Sequence, residues 1–539
     1  MDALSAPTAE ARYQAQLPER AEYLKEAEQS ASLTLPSLIP DDQDICTRTT
    51  VVNLVKPYQS LGSRGVNNLG SKLLLTLFPP TSPFLRYQLS PIAKRDAKVE
   101  KIDMGPIQGE LAMREATIQG ELDVQGIRSK LYAGIKHLLV AGNVAIRKVK
   151  GKGLQIFPLN SYVAKRDTEG NLIEAIIVEK FAKSTITDKR VLDILSDPAS
   201  SIDARDPHHA VKVFTSIRRV PNSDDFRVVQ EVGGIEVPDT AKTYKPRKLP
   251  WLILRYTSID GEDYGRGFVE EYRGDLTSYE SLSRDMIFAS ANAAKLLWGV
   301  DPTSTVNLRH LTDLENGQFF GGREGEIWAL KMDKGGDMQV AQTQLAKLEQ
   351  SLAADFLLNS SFQRKGERVT AEEIRLMASE LEDTLGGVFS LLGQELQLPL
   401  GHLLEDELIS TNALQPLDEK TVKIGVVTGL AAIGRGQDLT RLKEAIASVA
   451  EVATFMPGLI DYINEGALNT RIWTGTGVDT EGLILSDDEV AKKRSERAQQ
   501  QAQQTMGEEM AKGAAAPLGQ VAADGMRAQR EIPTPQGAQ

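Results

Sequence analysis

Apolar positions recur near helical spacing through the first 150 residues. In SLGSRGVNNLGSKLLLTLFPP, Leu61, Val66, Leu69, Leu73 and Leu74 share one face, and Pro79 and Pro80 end the pattern. A second helical stretch covers about 98–149 and includes SKLYAGIKHLLVAGNVAI. From Leu154 to about Thr257 the period shortens to alternating or β-branched runs (LQIFPL, LIEAIIVEKF, VKVFTSIRRV, FRVVQEV, WLILRYTSI), separated by turn clusters such as DTEGN and PNSDD. The pattern predicts an α+β body, mostly helical.

After DGEDYGRG, a long helix is predicted with Tyr272, Leu276, Tyr279, Leu282 and Met286 three or four residues apart. Residues 298–340 lose that period, carry Gly321, Gly322, Gly325, Gly335 and Gly336, and hold two strand-like pieces, GQFF and EIWALKM. A second helix follows with Leu345, Leu348, Leu352 and Phe356 on one stripe, so the unit reads helix, glycine-rich insertion, helix. Next comes NSSFQRKGERVTAEEIRLMASELEDTLGGVFSLLGQELQLP, in which Thr370 and Glu373 form a capping box that starts a helix at Ala371. Ile374, Met377, Leu381, Leu385, Val388, Leu392 and Leu396 continue it until Pro399 stops it. Its length is about 28 residues, or about 42 Å at 1.5 Å per residue. Gly386 and Gly387 each cost about 1 kcal/mol inside it, which predicts a kink or a close approach of another backbone. Beyond about 421 the reading is again helical (LTRLKEAIASVAEVATF, after GLAAIGRGQD), and the last ~40 residues read as frayed helix and disordered tail.

Composition narrows the function classes. The 539 residues are 41% hydrophobic and 25% charged, which excludes a wholly disordered or collagen-like chain. The net charge of -12 argues against a large surface that grips DNA or an anionic membrane, because tight phosphate binding needs an excess of cations at the contact. Cys46 is the only cysteine, so neither an intrachain disulfide nor a cysteine zinc cage can form, and the chain suits a reducing cytosol. No apolar run approaches the roughly 20 residues of a bilayer span, and MDALSAPTAEARYQ lacks a signal-peptide pattern. The expectation is a soluble intracellular product without membrane insertion.

Few motifs carry chemistry. Gly65-x-x-x-x-Gly70-Ser71-Lys72 nearly spells a phosphate loop, but Lys and Ser are in the wrong order and no strand precedes it, so helix packing is expected. Gly265-Arg266-Gly267 lacks the third glycine of a dinucleotide loop and reads as a hinge or helix entry. Of His137, His208, His209, His310 and His402, only 208 and 209 cluster, and Asp203 and Asp206 beside them suit an exposed loop. Glu372, Glu373, Glu380, Glu382 and Asp383 read as the polar face of the long helix. Arg364, Lys365 and Arg368 flank Gly366 ahead of that helix and form either an ordinary exposed loop or a flexible basic loop offered to a polyanion. No catalytic residue, metal or cofactor is expected.

The segments YQSLGSRGVNNLGSKLLLTLFP, LLVAGNVAI, DGEDYGRGFVEEYRGDL, LNSSFQRKGERVTAEEIRLMASELEDTLGGVFSLLGQELQLPL and GLAAIGRGQDL resemble, in order, the portal proteins (head-to-tail connectors) of Autographiviridae-type short-tailed bacteriophages. The resemblance spans about residues 50–450, and the first ~40 residues and the carboxyl tail match less well. It implies a ring, usually of twelve subunits, at one capsid vertex of the virion, assembled in the host cytoplasm. Each subunit then has a wing (1–262), a first stem helix (263–297), a clip (298–340), a second stem helix (341–360), a tunnel loop and long kinked wing helix (361–400), a crown (401–490) and a flexible tail (491–539). By position, Arg364, Lys365 and Arg368 fall in the tunnel loop lining the DNA channel, and Gly386 and Gly387 at the kink. Implied partners are passing double-stranded DNA, the terminase large subunit, adaptor and nozzle tail proteins, and scaffold, major capsid and internal core proteins. The family has no active site. A nucleotide-dependent packaging motor subunit and a capsid shell or scaffold protein are the rival classes, and the absent strand-GK[ST]-helix loop counts against the motor.

Overall fold

A computed structural model describes residues 7–39, 54–80, 83–93, 95, 104–183, 186–196, 210–293, 298–303, 318, 321, 323–329, 335–358, 385–418 and 421–426, and beyond these only 442, 445–453, 455–456, 458, 468, 490, 492–497 and 499. Two compact units divide the chain at Gln437. In the second, the longest described helix is 445–453.

The first unit opens with α1 (Ala9–Leu33), capped by Thr8, whose hydroxyl accepts from the Ala11 N–H at 3.2 Å. Then come α2 (Leu61–Leu77), β1 (Leu85–Leu89), α3 (Met104–Val124), α4 (Ile127–Ala141), β2 (Asn143–Val149), β3 (Gly153–Phe157), β4 (Tyr162–Arg166) and β5 (Leu172–Ala182). A short α5 (Lys189–Ser196) precedes β6 (Ala210–Arg219), β7 (Phe226–Val232), β8 (Ile235–Glu236), β9 (Lys242–Tyr244) and β10 (Trp251–Arg255). β4 to β8 form an antiparallel meander, with β9 also on β7. Two-residue alternation gives this sheet two apolar faces. Val163, Ile176 and Phe214 pack under Ala9, Tyr13 and Leu17 of α1, whereas Ala164, Ala175, Ile177 and Ile217 join the main core. β2 lies between β10 and β3 in a smaller sheet, and its first four residues are all buried.

The main core is completed by helices. α6 (Phe268–Glu271) and α7 (Arg273–Ala293) lead to β11 (Trp298–Val300), which pairs antiparallel with β12 (Ile327–Ala329), and α8 (Gly335–Asp355) returns against α7. EIWALKM supplies β12, whereas GQFF lies, apart from Gln318, outside the described residues. The predicted stripes are buried at the root of this pair, at Leu276, Tyr279, Leu352 and Phe356, and half-buried farther along at Leu282, Leu345 and Leu348.

Two expectations are corrected. The chain beyond 421 does not turn helical at once: Val422–Val426 is a strand, β13, paired with β1 so that Val422, Ile424 and Val426 face Leu89, Tyr87 and Leu85. The V-K-I-G-V alternation has period two, which suits a strand and not a helix. Pro399 does not stop the long helix either. Residues 385–392 (α9) pass through a π turn, Gly393–Gln397, into α10 (Leu398–Ser410). In that turn the Leu398 N–H bonds the carbonyl of Gly393, five residues back. Widening the helix just before Pro399 accommodates a residue that has no N–H to donate, so the helix continues.

Candidate functional site at the root of the helix pair

Four aromatic rings gather where α7 and α8 meet the body. Phe356, at the end of α8, lies 5.4 Å from Phe268 and 6.0 Å from Tyr272, centroid to centroid, and Tyr256 lies 6.3 Å from Phe268. Phe356 is fully buried and covers Gly65 of α2 so closely that a Cβ there would come within 2.5 Å of the ring. The Gly65 to Lys72 stretch is therefore helix surface, as expected, and Lys72 serves the neighbouring chain end. Its ammonium donates to the Leu357 carbonyl at 3.0 Å, and Asn68 donates to the carbonyls of Phe356 and Leu357 at 3.2 and 3.0 Å. Two otherwise orphaned helix-end carbonyls are satisfied this way.

α8 ends abruptly. Leu357 has φ +53, and the Leu358 N–H donates to the Ala353 carbonyl at 2.7 Å, a Schellman-type stop. Left-handed backbone costs a leucine about 1–2 kcal/mol. Burying its side chain returns about 1.5–3 kcal/mol, so burial outweighs strain and explains a leucine where glycine is usual. Across the next 26 residues the description resumes at Leu385 (8 to 7% exposure marks both Leu357 and Leu385), against the same aromatic group. The two described ends that border residues 359–384, Leu358 and Leu385, thus both belong to the main core around these rings. Arg364, Lys365, Arg368, Thr370 and Glu373, and the acids from Glu372 to Asp383, lie outside the described residues.

Gly386 and Gly387 follow directly, in α9. Both are exposed, and a Cβ built on either meets no atom within 4 Å. Beside them runs a cleft of about 370 Å³, lined also by Tyr256, Phe268, Glu271 and Tyr272. A bend at this pair involves the helix on both sides, and the side before Leu385 is outside the described residues. The π turn six residues later is locked by its own side chains. Glu395 accepts from the Arg255 guanidinium at 2.8 Å, and the fully buried Gln397 donates to the Leu77 carbonyl. Arg166 is close to this pair; burial first, then the charge of Arg255, pulls its pKa down, while Glu395 opposes.

The Gly265-Arg266-Gly267 segment is a helix entry, with a steric reason. A Cβ on Gly265 would fall 2.5 Å from the Thr257 carbonyl oxygen, and one on Gly267 would fall 2.8 Å from that of Val140. Asn143 ties the crossing with bonds to both the N–H and the carbonyl of Gly265. His137 is buried and its pKa falls to about 4, through desolvation and then the charge of Lys136. The His402 ring is bonded to Arg247 at 3.0 Å, and His208, His209 and His310 lie outside the described residues. Among the described residues no three His, Cys, Asp or Glu side chains gather as metal ligands, and no helix is long and apolar enough to cross a membrane.

Sequence reasoning missed the ion pairs that fix α10. Arg114 of α3 donates through Nε to Glu405 at 3.0 Å, and Lys148 of β2 reaches Glu407 at 2.6 Å. Their only signal was acidic residues breaking an otherwise apolar helix, a pattern shared with any half-exposed helix.

The bacteriophage head to tail connecting protein model matches residues 6–484. A portal protein of Escherichia phage T7 is 34% identical over 92% of this chain and 92% of its own length, and a portal protein of Enterobacteria phage T3 is 36% identical over 89% of each. A chain in the virion of a native gene transfer agent particle overlaps with a TM-score of 0.34 at 11% identity, over 77% of this chain and 89% of that chain, too loosely to argue from. The extent of the family match and the identity to the phage relatives agree with each other, and the chain belongs to the bacteriophage head to tail connecting protein family.

Proposed function

We propose that this chain is a portal subunit: copies of it, twelve in the reading carried from the sequence, close a ring at the unique capsid vertex that joins head to tail and passes double-stranded DNA in during packaging and out during ejection. The observation that carries this is the anchored root. The end of α8 packs Phe356 on Phe268 and Tyr272, and the start of α9 lines a cleft with the same two rings, so the described chain on both sides of Arg364, Lys365 and Arg368 in the sequence meets one aromatic group. Three cations on a loop, in a chain of net charge -12, suit a channel that touches phosphates without retaining them, because each neutralised phosphate adds affinity. Residues 263–360 supply stem and clip in this reading, Gly386 and Gly387 mark the bend between tunnel and wing, and the terminase large subunit, adaptor, nozzle, scaffold, major capsid and internal core proteins are its partners. The protein works as a conduit and not as an enzyme.

Electron microscopy of the purified full chain tests the reading. Rings with a central hole are expected, and lattices or hole-free oligomers overturn it. The double variant Arg364→Glu, Arg368→Glu is expected to keep its rings while packaging or ejection falls. Full heads and normal titre in that variant remove the loop from the channel.

A further inference from the structure

The two-stranded sheet of β1 and β13 has one closed edge and one open edge. The Ser90 N–H donates to the Thr421 carbonyl at 2.8 Å, which sets the phase of the ladder. Gln88 therefore exchanges bonds with Lys423, and the backbone groups of Tyr87 and Ile424 point away from the pair. On the β1 side, the outward N–H of Tyr87 donates to the Glu115 carboxylate of α3 at 2.8 Å. On the β13 side, the Asp418 carbonyl takes the Val422 N–H at 3.0 Å, while the N–H and carbonyl of Ile424 have no partner among the described residues. A groove of about 870 Å³ runs beside this open edge. Val422, Lys423 and Ile424 all border it, and because successive strand residues point to opposite faces, a groove that touches all three reaches the edge itself. Leu398, Ile409 and Leu417 give it an apolar lining, and its cations are Lys423 and, on the turn before β10, Lys245, Arg247 and Lys248. Its carboxylates are already engaged, Asp406 by Lys248 and Glu405 by Arg114. Lys245 and Lys423 are exposed and have no acidic partner among the described residues.

We propose that β13 accepts an extended, acidic segment of a partner protein as a third strand, seated in this groove. Ile424 supplies a donor and an acceptor at strand spacing, the apolar lining receives alternate side chains, and Lys245 and Lys423 meet carboxylates on the others. A lysine on an open edge refuses cationic strands and admits acidic ones, so the edge selects its partner by sign. A nucleic acid would answer the cations but leave the strand edge and the apolar lining unused. The groove lies outside residues 263–360 and outside the basic loop, so the inference does not rest on the portal reading.

The test uses the full chain and two labelled peptides of about seven residues, one alternating glutamate with valine and one alternating lysine with valine. Fluorescence anisotropy measures binding, and hydrogen exchange read by mass spectrometry follows the Ile424 amide. The glutamate peptide should bind and slow exchange at Ile424 at least tenfold, and the lysine peptide should do neither. Ile424→Pro removes the outward N–H without touching the bonds to β1, as an edge strand permits, and should weaken binding at least tenfold. Lys245→Glu with Lys423→Glu changes two exposed side chains, should leave Tm unchanged and should reverse the preference between the peptides. No binding of the glutamate peptide at about 1 mM overturns the proposal, as does binding that neither variant alters. An Ile424 amide already protected in the dissociated subunit shows the edge covered by the chain itself, and protection that grows with self-association shows it covered by a second copy; either result also overturns it. Displacement of the peptide by a duplex DNA oligonucleotide, with the same dependence on Lys245 and Lys423, makes the groove a polyanion site instead.

Discussion

Two largely buried carboxylates tie α10 to the body through ion pairs. Glu405 is buried against Arg114, and desolvation alone would raise its carboxyl. The bonds to His402, Arg114 and Tyr87 and the charge of Arg114 outweigh that and hold it below the ordinary 4.5. Glu407 behaves likewise: burial raises it, but the Lys148 ammonium and the Gly151 N–H lower it further. A carboxyl depressed on folding stabilises the protein above its unfolded pKa, and that stability is lost as pH falls through the folded value. Tm is therefore expected to hold from pH 7 to about 5 and to drop below about 4.5. Glu405→Ala, which strands Arg114 in the core, should cost about 3 kcal/mol at neutral pH and make the acid drop shallower. Gly65→Ala is a steric counterpart. Its methyl would strike Phe356 in a place fixed by Asn68 and Lys72, and a loss of about 1–3 kcal/mol in urea unfolding is expected.

Among the elements, the π turn has the most to lose. Glu395→Ala leaves Arg255, 7% exposed, beside Arg166 with no carboxylate between them, and should destabilise by about 3–5 kcal/mol. The exposed pair Arg64 and Glu349 is the control: they are 3.9 Å apart and each about half exposed, so Glu349→Ala should change stability by less than about 0.5 kcal/mol. Equal losses in the two variants would show that burial is not what gives the Glu395 pair its value. The same elements mark what the sequence could disclose. Helix faces such as Leu61 to Leu77 and the Tyr272 to Tyr279 stripe were legible because burial imposes a period on them. β13 was overlooked because five alternating residues are a weak signal beside longer helical runs. The passage of the helix through Pro399 was not legible because it depends on Glu395 and Gln397 finding partners about 140 and 320 residues away. For the candidate site, the stripe that ends in Phe356 could be read from its spacing, whereas the fixing of the α8 end by Asn68, Lys72 and a left-handed Leu357 is tertiary and left no local trace.

In the whole molecule, α1 is more than a leading helix. It covers the apolar sheet face of Val163, Ile176 and Phe214, and Arg12 joins it to Glu174 on β5 at 2.9 Å. Removing residues 1–33 bares that face, so the truncated chain is expected to bind a hydrophobic dye and aggregate, and a monodisperse truncated protein would contradict this role. At its other end α1 meets α7, where Glu26 pairs with Arg273. β5 is hydrogen-bonded on both sides, to β4 and to β6. A pull on α7 therefore does not fall only on the narrow glycine crossing at 265–267. Part of the force runs through Arg273 into α1 and through Arg12 into an interior strand of a six-stranded sheet, where it must shear the bonds on both sides of β5 at once before anything gives way.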